Sequence, residues 1–488
     1  MEEERKPGSG AQVIVTVCKS HCGGACPLKV NVKDGVITSI EPDDELRACV
    51  RGRAYRQRVY APDRLKYPLK RAGERGSGQF ERISWDEALD TVAAEIKRIR
   101  DSYGPSAVAT FGSGGDIGHL HNADLINRLL IRAGGYSSTW GMHSCEGAFF
   151  ASNATYGELA KGNSREDLLN SRLIIMWGWN PAVSITFNST SFYLSQAREA
   201  GIRIISVDPR YTNSAAIFAQ QWIPIRPNTD TAMLIAMAYV IIKDNLQDQV
   251  FLDRHTTGFD RFKEYVLGQE DGVPKTPAWA QGITDVPANA ISDLAREYAT
   301  NRPAALMDGI AVGRTAYGEQ FHRAATALAA MTGNIGIHGG NAPGFSCFGA
   351  MLPGIGGKSE AGNLGPVVGA RMKGGDNPVD REAPPRAFGE FSSRKYEGAG
   401  VPTSARVNRF QFADALLKGR RGGYPTDYKF LYVVNSNYLN QCANTNKIAQ
   451  ALKTLEFIVV QEQFMTPTAK FADIVLPTNT YMERNDVT

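Results

Sequence analysis

Residues 173–181 read LIIMWGWNP and residues 202–208 read IRIISVD, with a helix-length segment between them. Each begins with a short apolar run typical of a buried strand, so the pair predicts a strand–helix–strand unit with parallel strands. An acid at the end of the second strand, here Asp208, commonly binds the ribose of a nucleotide in such units. No complete Gly-x-Gly-x-x-Gly motif is present, and a surface aspartate that caps a turn is the better explanation of Asp208 taken alone.

The same alternation of strand-like and helix-like segments extends along most of the chain and predicts the α/β class, with parallel sheets flanked by helices. Strands are predicted at 13–17, 28–32, 36–40, 107–111, 173–177, 202–207, 430–434, 457–460 and 474–476. Helices are predicted after the capping box at 84–87 (SWDE), and over 231–244 and 288–299. The Gly- and Pro-rich residues 340–385 predict a long ordered loop that serves a site, and we find no sequence repeat.

Composition excludes several classes of protein. The 488 residues include 54 Lys and Arg against 50 Asp and Glu, a net charge of +4 that is too small and too dispersed for a nucleic-acid partner. The longest apolar run, 232–242, is shorter than the ~20 residues of a membrane-spanning helix, so we expect no direct membrane insertion. Residues 1–11 carry no export signal, so the chain as written is expected to be cytoplasmic.

Four of the seven cysteines lie within the first 49 residues, which points to a metal site. Cys18, Cys22 and Cys26 are separated by three residues each, and Cys49 follows 22 residues after the last of them. Four clustered thiolates suit a [4Fe–4S] cluster or a structural zinc, and three thiolates on one tight loop favour the cluster. Unliganded core cysteines are a third, less favoured interpretation. The surrounding segment is too small for a large core and is expected to depend on the metal.

A basic run follows Cys49 directly and contains Arg51, Arg53, Arg56 and Arg58. Taken alone it is best explained as a solvated surface. Beside a predicted cluster, it also suits the neutralisation of an anionic cofactor.

Together these motifs carry a resemblance to a known family. The cysteine motif with Arg51-Gly52-Arg53 is followed by VYAPDRLKYP at 59–68 and FERISWDEA at 80–88. Further motifs are WGWNP at 177–181, VDPRYT at 207–212, IRPNTD at 225–230, TGNIG at 332–336 and ADIVLP at 472–477. This ordered set resembles the molybdopterin oxidoreductases of the dimethyl sulfoxide reductase family, and most resembles the catalytic subunits (A chains) of the anaerobic type.

The resemblance implies a small N-terminal iron–sulfur domain followed by two Rossmann-like α/β domains, one of them discontinuous. The expected boundaries are 1–66 for the cluster domain, 67–139 with 335–488 for a molybdopterin-binding domain, and 140–334 for a molybdopterin guanine dinucleotide-binding domain. Family members usually continue into a further domain that closes over the cofactor. Its absence here leads us to expect a C-terminally truncated chain. Because many relatives are exported, the resemblance implies the periplasmic face or a membrane-associated complex as the alternative localisation if the N-terminus is incomplete.

The resemblance also implies the cofactors: a [4Fe–4S] cluster on Cys18, Cys22, Cys26 and Cys49, and bis-molybdopterin guanine dinucleotide with molybdenum, or alternatively tungsten. Asp208 and Asp230 would face guanosine, although a helix cap is the default explanation of Asp230. The full set of cofactor-binding residues expected from the resemblance is Gly178, Asn180, Asp208, Arg210, Asp230, Asn435 and Asn437.

The reactive centre is expected within residues 140–147, WGMHSCEG. Chemistry alone favours Cys145 as the metal ligand, because a thiolate is soft. The resemblance places a serine ligand at Ser144, which we prefer, with Cys145 as second choice. His143, His119 and His121 are candidate proton donors, each better explained singly as a hydrogen-bonded loop residue.

The implied reaction is oxygen-atom transfer from an S-oxide or N-oxide, with electrons delivered through the cluster past Arg51. Implied partners are a ferredoxin-like iron–sulfur subunit, docked near residues 18–26, and a membrane anchor subunit. Two alternatives stay open. One is a non-redox hydratase or transhydroxylase on the same scaffold, and the other is a non-catalytic electron-transfer subunit.

Overall fold

The computed structural model describes residues 10–20, 26–43, 48–112, 120–121, 124–141, 144–157, 162–184, 190–345, 377–381 and 405–486. The strands in these ranges are β1 Ala11–Val17, β2 Pro27–Lys33, β3 Val36–Pro42, β4 Leu69–Arg71, β5 Phe80–Arg82, β6 Val108–Phe111, β7 Thr139–Trp140, β8 Leu173–Trp177, β9 Arg203–Val207, β10 Gln221–Ile223, β11 Ala304–Asp308, β12 Val407–Asn408, β13 Phe430–Val434, β14 Phe457–Glu462 and β15 Ile474–Pro477.

The helices in the same ranges are α1 Val50–Arg53, α2 Tyr55–Val59, α3 Trp85–Tyr103, α4 Asp124–Arg132, α5 Glu146–Tyr156, α6 Thr190–Glu199, α7 Asn213–Phe218, α8 Asp230–Lys243, α9 Gln249–His255, α10 Phe259–Val266, α11 Pro277–Thr284, α12 Ala288–Thr300, α13 Glu319–Met331, α14 Pro378–Arg381, α15 Phe412–Lys418, α16 Tyr438–Gln441 and α17 Thr445–Lys453.

The chain forms two compact units. One comprises Met1–His143 with Leu364–Thr488, and the other comprises Ser144–Asn363. The α/β class expected from the sequence is confirmed, whereas the three-domain boundaries stay a prediction.

The second unit is built on a four-stranded parallel sheet in the order β10-β9-β8-β11. Strand β8 is buried along its whole length, as expected for a strand covered on both faces. One face packs against α8, α12 and α13 through residues such as Met237, Leu294 and Phe321. The opposite face buries Ile174 and Met176 against Leu194 of α6. Helix α8 is apolar nearly all round, which explains its central place in this core.

The first unit contains a six-stranded sheet in the order β5-β4-β15-β14-β13-β6. Its last four strands are parallel to one another, and β4 pairs antiparallel with β15. Helix α3 packs on one face, with Val92 and Ile99 against Val108 and Val459. It begins where the sequence predicts, because the Ser84 side chain accepts a hydrogen bond from the Glu87 N–H.

The same unit contains the N-terminal three-stranded antiparallel sheet β1-β2-β3. Residues of β2 alternate between partly exposed and buried positions, and Leu28 and Val30 form its core. This small sheet positions two of the predicted ligands, since Cys18 directly follows β1 and Cys26 directly precedes β2.

The two parallel sheets share an arrangement that sequence analysis did not detect. The order β10-β9-β8-β11 in one corresponds to β15-β14-β13-β6 in the other. In register, Trp177 pairs with Val207 as Val434 pairs with Gln461, and Ile223 pairs with Val207 as Leu476 pairs with Gln461. The molecule therefore contains a structural repeat without a visible sequence repeat.

Every strand and helix that the sequence predicts is present. The strands that sequence analysis missed are β4, β5, β7, β10, β11 and β12. Most of them are only two or three residues long, too short to show a periodic pattern. Most of the predicted loop at 340–385 lies outside the described residues. No helix within the described ranges is both long and apolar enough to cross a lipid bilayer.

Candidate functional site

The carboxyl end of β8 carries an asparagine whose side chain fixes the following loop. Gly178, directly after β8, has a φ of +56°, and Asn180 follows two residues later. The Asn180 Oδ1 accepts hydrogen bonds from the Ser214 N–H at 3.2 Å and the Ser214 hydroxyl at 2.7 Å. The Ser214 Oγ in turn accepts from the Ala182 N–H at 2.9 Å. This ring of hydrogen bonds joins the turn after β8 to the helix after β9.

The carboxyl end of β13 carries the same device. Asn435, directly after the strand, has a φ of +52°, and Asn437 follows two residues later. The Asn437 Oδ1 accepts from the Thr468 N–H at 3.2 Å and the Thr468 hydroxyl at 2.7 Å. The Thr468 Oγ1 accepts from the Leu439 N–H at 3.0 Å. We call the two arrangements the Asn180 clasp (Asn180, Ala182, Ser214) and the Asn437 clasp (Asn437, Leu439, Thr468).

A carboxylate stands at the equivalent place beside each clasp. Asp208 precedes Ser214 by six residues, and Glu462 precedes Thr468 by six. Partial burial raises the pKa of Asp208, opposed by a hydrogen bond from the Arg210 N–H. Burial likewise raises the pKa of Glu462. Each edge therefore holds a carboxylate that is partly removed from water.

Each edge also has a second acid. It follows Ile223 of β10 by seven residues in the second unit, and Leu476 of β15 by seven residues in the first unit. In the second unit this is Asp230, which is buried and accepts a hydrogen bond from the Trp177 indole at 2.9 Å. Burial raises the pKa of Asp230, and the charge of the nearby Asp208 adds to the effect. Thr229 is the N-cap of α8, so the expectation that Asp230 acts as the helix cap is wrong.

The counterpart in the first unit is Glu483, which is held by a two-point ion pair with Arg64 at 3.0 and 2.8 Å. Partial burial acts to raise the pKa of Glu483, but hydrogen bonds from Arg64 and Thr480 outweigh it and lower the pKa. The structure thus brings Asp208 and Asp230 together, while Glu483 is already neutralised by a cation.

These edges offer groups that suit a nucleotide with phosphates. No described residue accepts a hydrogen bond from the Nδ2 of Asn180 or of Asn437, so both amides keep two donors. A positive φ at Gly178 and Asn435 turns the chain sharply at the strand end, where α/β sheets bind ligands. Arg210 is exposed beside Asp208 and adds positive charge.

Ser144 and Cys145 differ in access. Ser144 is partly exposed, and its carbonyl accepts a hydrogen bond from the Arg314 Nε at 2.8 Å. Cys145 is the N-cap residue of α5 and is only 2% exposed. Burial, with the charge of Glu146, raises the pKa of the Cys145 thiol to about 12 against the opposing effect of Arg314. In the surroundings that the described residues provide, the Cys145 thiol is therefore protonated at physiological pH.

Three of the four predicted cluster ligands lie near the N-terminal sheet. Cys18, directly after β1, and Cys26, directly before β2, lie opposite each other, and the Cys18 N–H donates to the Cys26 carbonyl at 2.8 Å. Cys49 is the N-cap residue of α1, and Gly52 of that helix packs on Cys18: an added Cβ would lie 3.6 Å from its Sγ. Cys22 lies outside the described residues.

The thiol of Cys18 has a further neighbour in Tyr481, whose hydroxyl donates toward the Sγ at 3.5 Å. Within the described ranges, no three His, Cys, Asp or Glu residues come close enough to hold a metal ion. The donor types nevertheless fit an iron–sulfur cluster, because two buried thiols flank the segment that contains Cys22.

The basic run after Cys49 divides into two pairs. The Arg56 Nε donates to the Ile37 carbonyl, and the Arg58 Nε donates to Gln463. Arg51 and Arg53 are exposed and make no side-chain hydrogen bond or ion pair with a described residue. His121 is also exposed, whereas His119 and His143 lie outside the described residues.

Sequence analysis missed Ser214, Thr468 and Glu462. The signal was present as equal spacing, since residues 177–182 with 207–214 match residues 434–439 with 461–468. Only the asparagines are identical at the key positions. The serine and threonine share a hydroxyl, and the carboxylates differ in length, so residue identity alone conceals the match.

Two family models match the chain. Residues 11–61 match the molybdopterin oxidoreductase Fe4S4 domain, and residues 64–488 match the molybdopterin oxidoreductase family. The chain is 37% identical to dimethyl sulfoxide reductase DmsA of Escherichia coli, over 98% of this chain and 60% of that protein. It is 33% identical to the dimethyl sulfoxide/trimethylamine N-oxide reductase of Cereibacter sphaeroides, over 88% of this chain and 53% of the relative.

Among solved structures, the acetylene hydratase of Pelobacter acetylenicus superimposes with a TM-score of 0.69 at 25% identity. That match covers 95% of this chain and 62% of the hydratase. The chain thus spans between half and two thirds of the length of each of these relatives.

Proposed function

Because this chain belongs to the molybdopterin oxidoreductase family, we propose that it carries the catalytic centre for reducing an S-oxide or N-oxide by oxygen-atom transfer. The observation that carries the proposal is the 37% identity, over nearly the whole chain, to a protein named dimethyl sulfoxide reductase. A second relative, the trimethylamine-N-oxide reductase of Haemophilus influenzae, is 30% identical over 98% of the chain. Both substrate classes present one polar oxygen for removal.

Each clasp would hold one guanine dinucleotide of the cofactor. Gly178, Asn180, Asp208, Arg210 and Asp230 would bind one copy, with the Asn180 amide donating to phosphate and the two carboxylates accepting from ribose or base. Asn435 and Asn437 would bind the second copy, and the equivalent position of Glu462 adds that residue to the set. When bound, the molybdenum–pterin group supplies two-electron redox chemistry and accepts the oxygen atom.

Ser144 is proposed as the protein ligand of the metal. Ser144 is partly exposed and can therefore contact a bound group, whereas Cys145 is buried inside the second unit. Arg314 holds the Ser144 main chain and places a positive charge beside it. This charge favours an ionised oxygen ligand at the same place.

Cys18, Cys22, Cys26 and Cys49 are proposed to hold the [4Fe–4S] cluster through which electrons enter. The exposed guanidinium of Arg51 has no described partner and would compensate the negative charge of a reduced cluster or of the pterin. An iron–sulfur subunit and a membrane anchor are the proposed partners, as the resemblance implies. The expected domain boundaries, 1–66, 67–139 with 335–488, and 140–334, are part of the same proposal.

An assay with a reduced viologen dye tests the reaction. Anaerobically purified protein should oxidise the dye with dimethyl sulfoxide or trimethylamine N-oxide as acceptor. Ser144→Ala should lower this rate by at least about 100-fold, since even residues that only orient metal ligands contribute 10- to 100-fold. Cys145→Ala is the matched control, and it should keep the activity at a stability cost of about 1 kcal/mol.

The likeness to acetylene hydratase makes hydration the second candidate. Hydration of acetylene gives acetaldehyde without consuming dye, so the two reactions are measured separately on the same preparation. Acetaldehyde formation without dye oxidation would replace the reductase proposal by the hydratase one. A preparation that has its molybdenum and catalyses neither reaction would contradict both.

A further inference from the structure

The second unit contains a buried aspartate–histidine pair that none of the roles above uses. Asp308 ends β11 and lies beside Trp177 in register, at the same sheet edge as Gly178. Its Oδ2 is 2.6 Å from the His322 Nδ1 and also accepts a hydrogen bond from the Gly344 N–H at 2.7 Å. Both side chains are completely buried. The carboxylate therefore fixes the orientation of the imidazole ring.

The other ring nitrogen of His322 lies against the Gly313 main chain. The His322 Nε2 is buried, and no described residue bonds to it. A Cβ added to Gly313 would lie 2.5 Å from this nitrogen and 3.0 Å from the ring Cδ2, so the ring edge rests on the Gly313 main chain. An unpaired buried polar atom costs free energy. Stability of the core alone does not account for this ring.

The far side of Gly313 touches the helix that follows Ser144. A Cβ added to Gly147, in the first turn of α5, would lie 2.7 Å from the Gly313 carbonyl oxygen and 3.3 Å from its Cα. Neither glycine has room for a side chain. The imidazole, the Gly313 main chain and the first turn of α5 are thus stacked in direct contact.

A second contact leaves the same loop one residue later. Arg314 follows Gly313, and its Nε donates to the Ser144 carbonyl at 2.8 Å. A shift of the imidazole would therefore reach the Ser144 segment both through Gly147 and through Arg314. Closely packed interiors transmit such displacements because they have no free volume to absorb them.

We propose that Asp308 and His322 are positioning residues that hold Ser144 in place for the metal. They act through the contact of the imidazole with Gly313, which in turn fixes Gly147 and Arg314. This inference rests on the proposed function, in which Ser144 is the ligand. The pair acts through the main chain and touches neither the metal nor the substrate.

The test uses the full chain, purified anaerobically with its cofactors, and the variants His322→Ala, Gly313→Ala and the double variant. His338→Ala is the matched control, because His338 also pairs with a carboxylate, that of Asp167 at 2.9 Å, but is 92% exposed. Measurements are molybdenum and iron per chain, the electron paramagnetic resonance spectra of Mo(V) and of the reduced cluster, kcat and KM.

Each single variant should retain the cluster spectrum and shift the Mo(V) spectrum, with kcat lower by roughly 10- to 100-fold and KM nearly unchanged. The double variant should recover toward the wild type, because the methyl group that Gly313→Ala introduces occupies part of the space that the ring vacates. The control should match the wild type. Unaltered Mo(V) spectra and rates in His322→Ala and Gly313→Ala would overturn the proposal.

Hydrogen–deuterium exchange of the peptide covering 144–156 separates this proposal from the proposed function. Faster exchange in His322→Ala, but not in His338→Ala, is expected whether or not metal is present. Equal exchange in both would overturn the positioning role. Absence of molybdenum from the wild-type protein would instead contradict the proposed function, and the exchange result would still decide the role of the pair.

Discussion

The carboxyl edges of the two parallel sheets agree in one feature and differ in another. Both have a residue of positive φ directly after the central strand, then an asparagine clasped by a serine or threonine hydroxyl, with bond lengths that match to 0.1 Å. They differ in the second acid, which follows Ile223 by seven residues at one edge and Leu476 by seven residues at the other. Asp230 is buried and forms no ion pair with any described residue, whereas Glu483 is paired with Arg64.

The agreement shows which part of the edge must stay fixed. An internal hydrogen-bond ring fixes the loop and leaves the asparagine amide free to donate, so the same ligand group can be bound twice. The second acids differ because the chain enters different surroundings after β10 and after β15. Beyond Ile223 the chain enters the apolar helix α8, and beyond Leu476 it reaches Tyr481, which packs on the cysteine region.

The largest effect is expected from breaking the clasps themselves. Asn180→Ala and Asn437→Ala each leave a buried N–H and hydroxyl without an acceptor, which costs about 2–4 kcal/mol in each case. Hydrogen–deuterium exchange of β8 with β9, and of β13 with β14, measures the two losses separately. Ser214→Ala and Thr468→Ala complete double-mutant cycles. A loss of about 2–4 kcal/mol at one edge with a loss outside that range at the other would show that the two clasps are not equivalent.

A smaller effect of opposite sign is expected at the second acids. Glu483→Gln should lower Tm at neutral pH through the loss of about 1 kcal/mol from a partly exposed two-point ion pair. Asp230→Asn should raise the Tm of the cofactor-free protein, because the amide still accepts the Trp177 hydrogen bond without placing a charge in a buried position.

The pH dependence follows from the direction of each shift. The pKa of Asp230 is raised by folding, so its protonation stabilises the fold at low pH, and this stabilisation is lost as pH rises through the raised pKa. The pKa of Glu483 is lowered, so its contribution is present above the pKa of the unfolded chain and is lost as pH falls through the lowered value. Both variants should therefore approach the wild-type Tm on acidification.

A still smaller effect is expected at the first acids. Burial raises the pKa of both Asp208 and Glu462, so Asp208→Asn and Glu462→Gln should each raise the Tm of the cofactor-free protein slightly at neutral pH and leave it unchanged once both carboxyls are protonated. The same variants should bind less guanine nucleotide. A fall in Tm for one and a rise for the other would separate the two edges.

The smallest effect is expected outside the comparison, at the cluster. Tyr481→Phe removes the hydroxyl that donates to the Cys18 Sγ, and hydrogen bonds to cluster sulfurs raise the reduction potential. Potentiometric titration should therefore show a slightly lower potential with unchanged iron content. Tyr60→Phe is a control at a tyrosine whose hydroxyl accepts a hydrogen bond from the Ile37 N–H, away from the thiols. A potential that moves equally in both would remove this role.

Sequence patterns predicted the strand–helix–strand unit around Trp177 and the helix beginning at Trp85, because buried strands and capped helices leave local signals. They failed for β10 and β11, which are short or lie beside stronger helical patterns. The clasps were also missed, since Ser214 and Thr468 lie more than 30 residues along the chain from the asparagines they hold. Long-range pairing of this kind has no local periodicity.

The family resemblance supplied residues that physical patterns alone would not select, such as Ser144 rather than Cys145. The structure adds the difference in burial between them. Asp308 and His322 were invisible in the sequence, because a single aspartate and a single histidine separated by 14 residues have no motif.

Under the proposed function, the Asn180 and Asn437 clasps would each hold one guanine dinucleotide. The most direct measurement is acid release of guanosine monophosphate from the purified protein, quantified by chromatography against molybdenum measured by plasma mass spectrometry. Two guanine nucleotides per molybdenum are expected, falling to about one in either asparagine variant. A ratio of one in the wild-type protein, or of none, would contradict the claim.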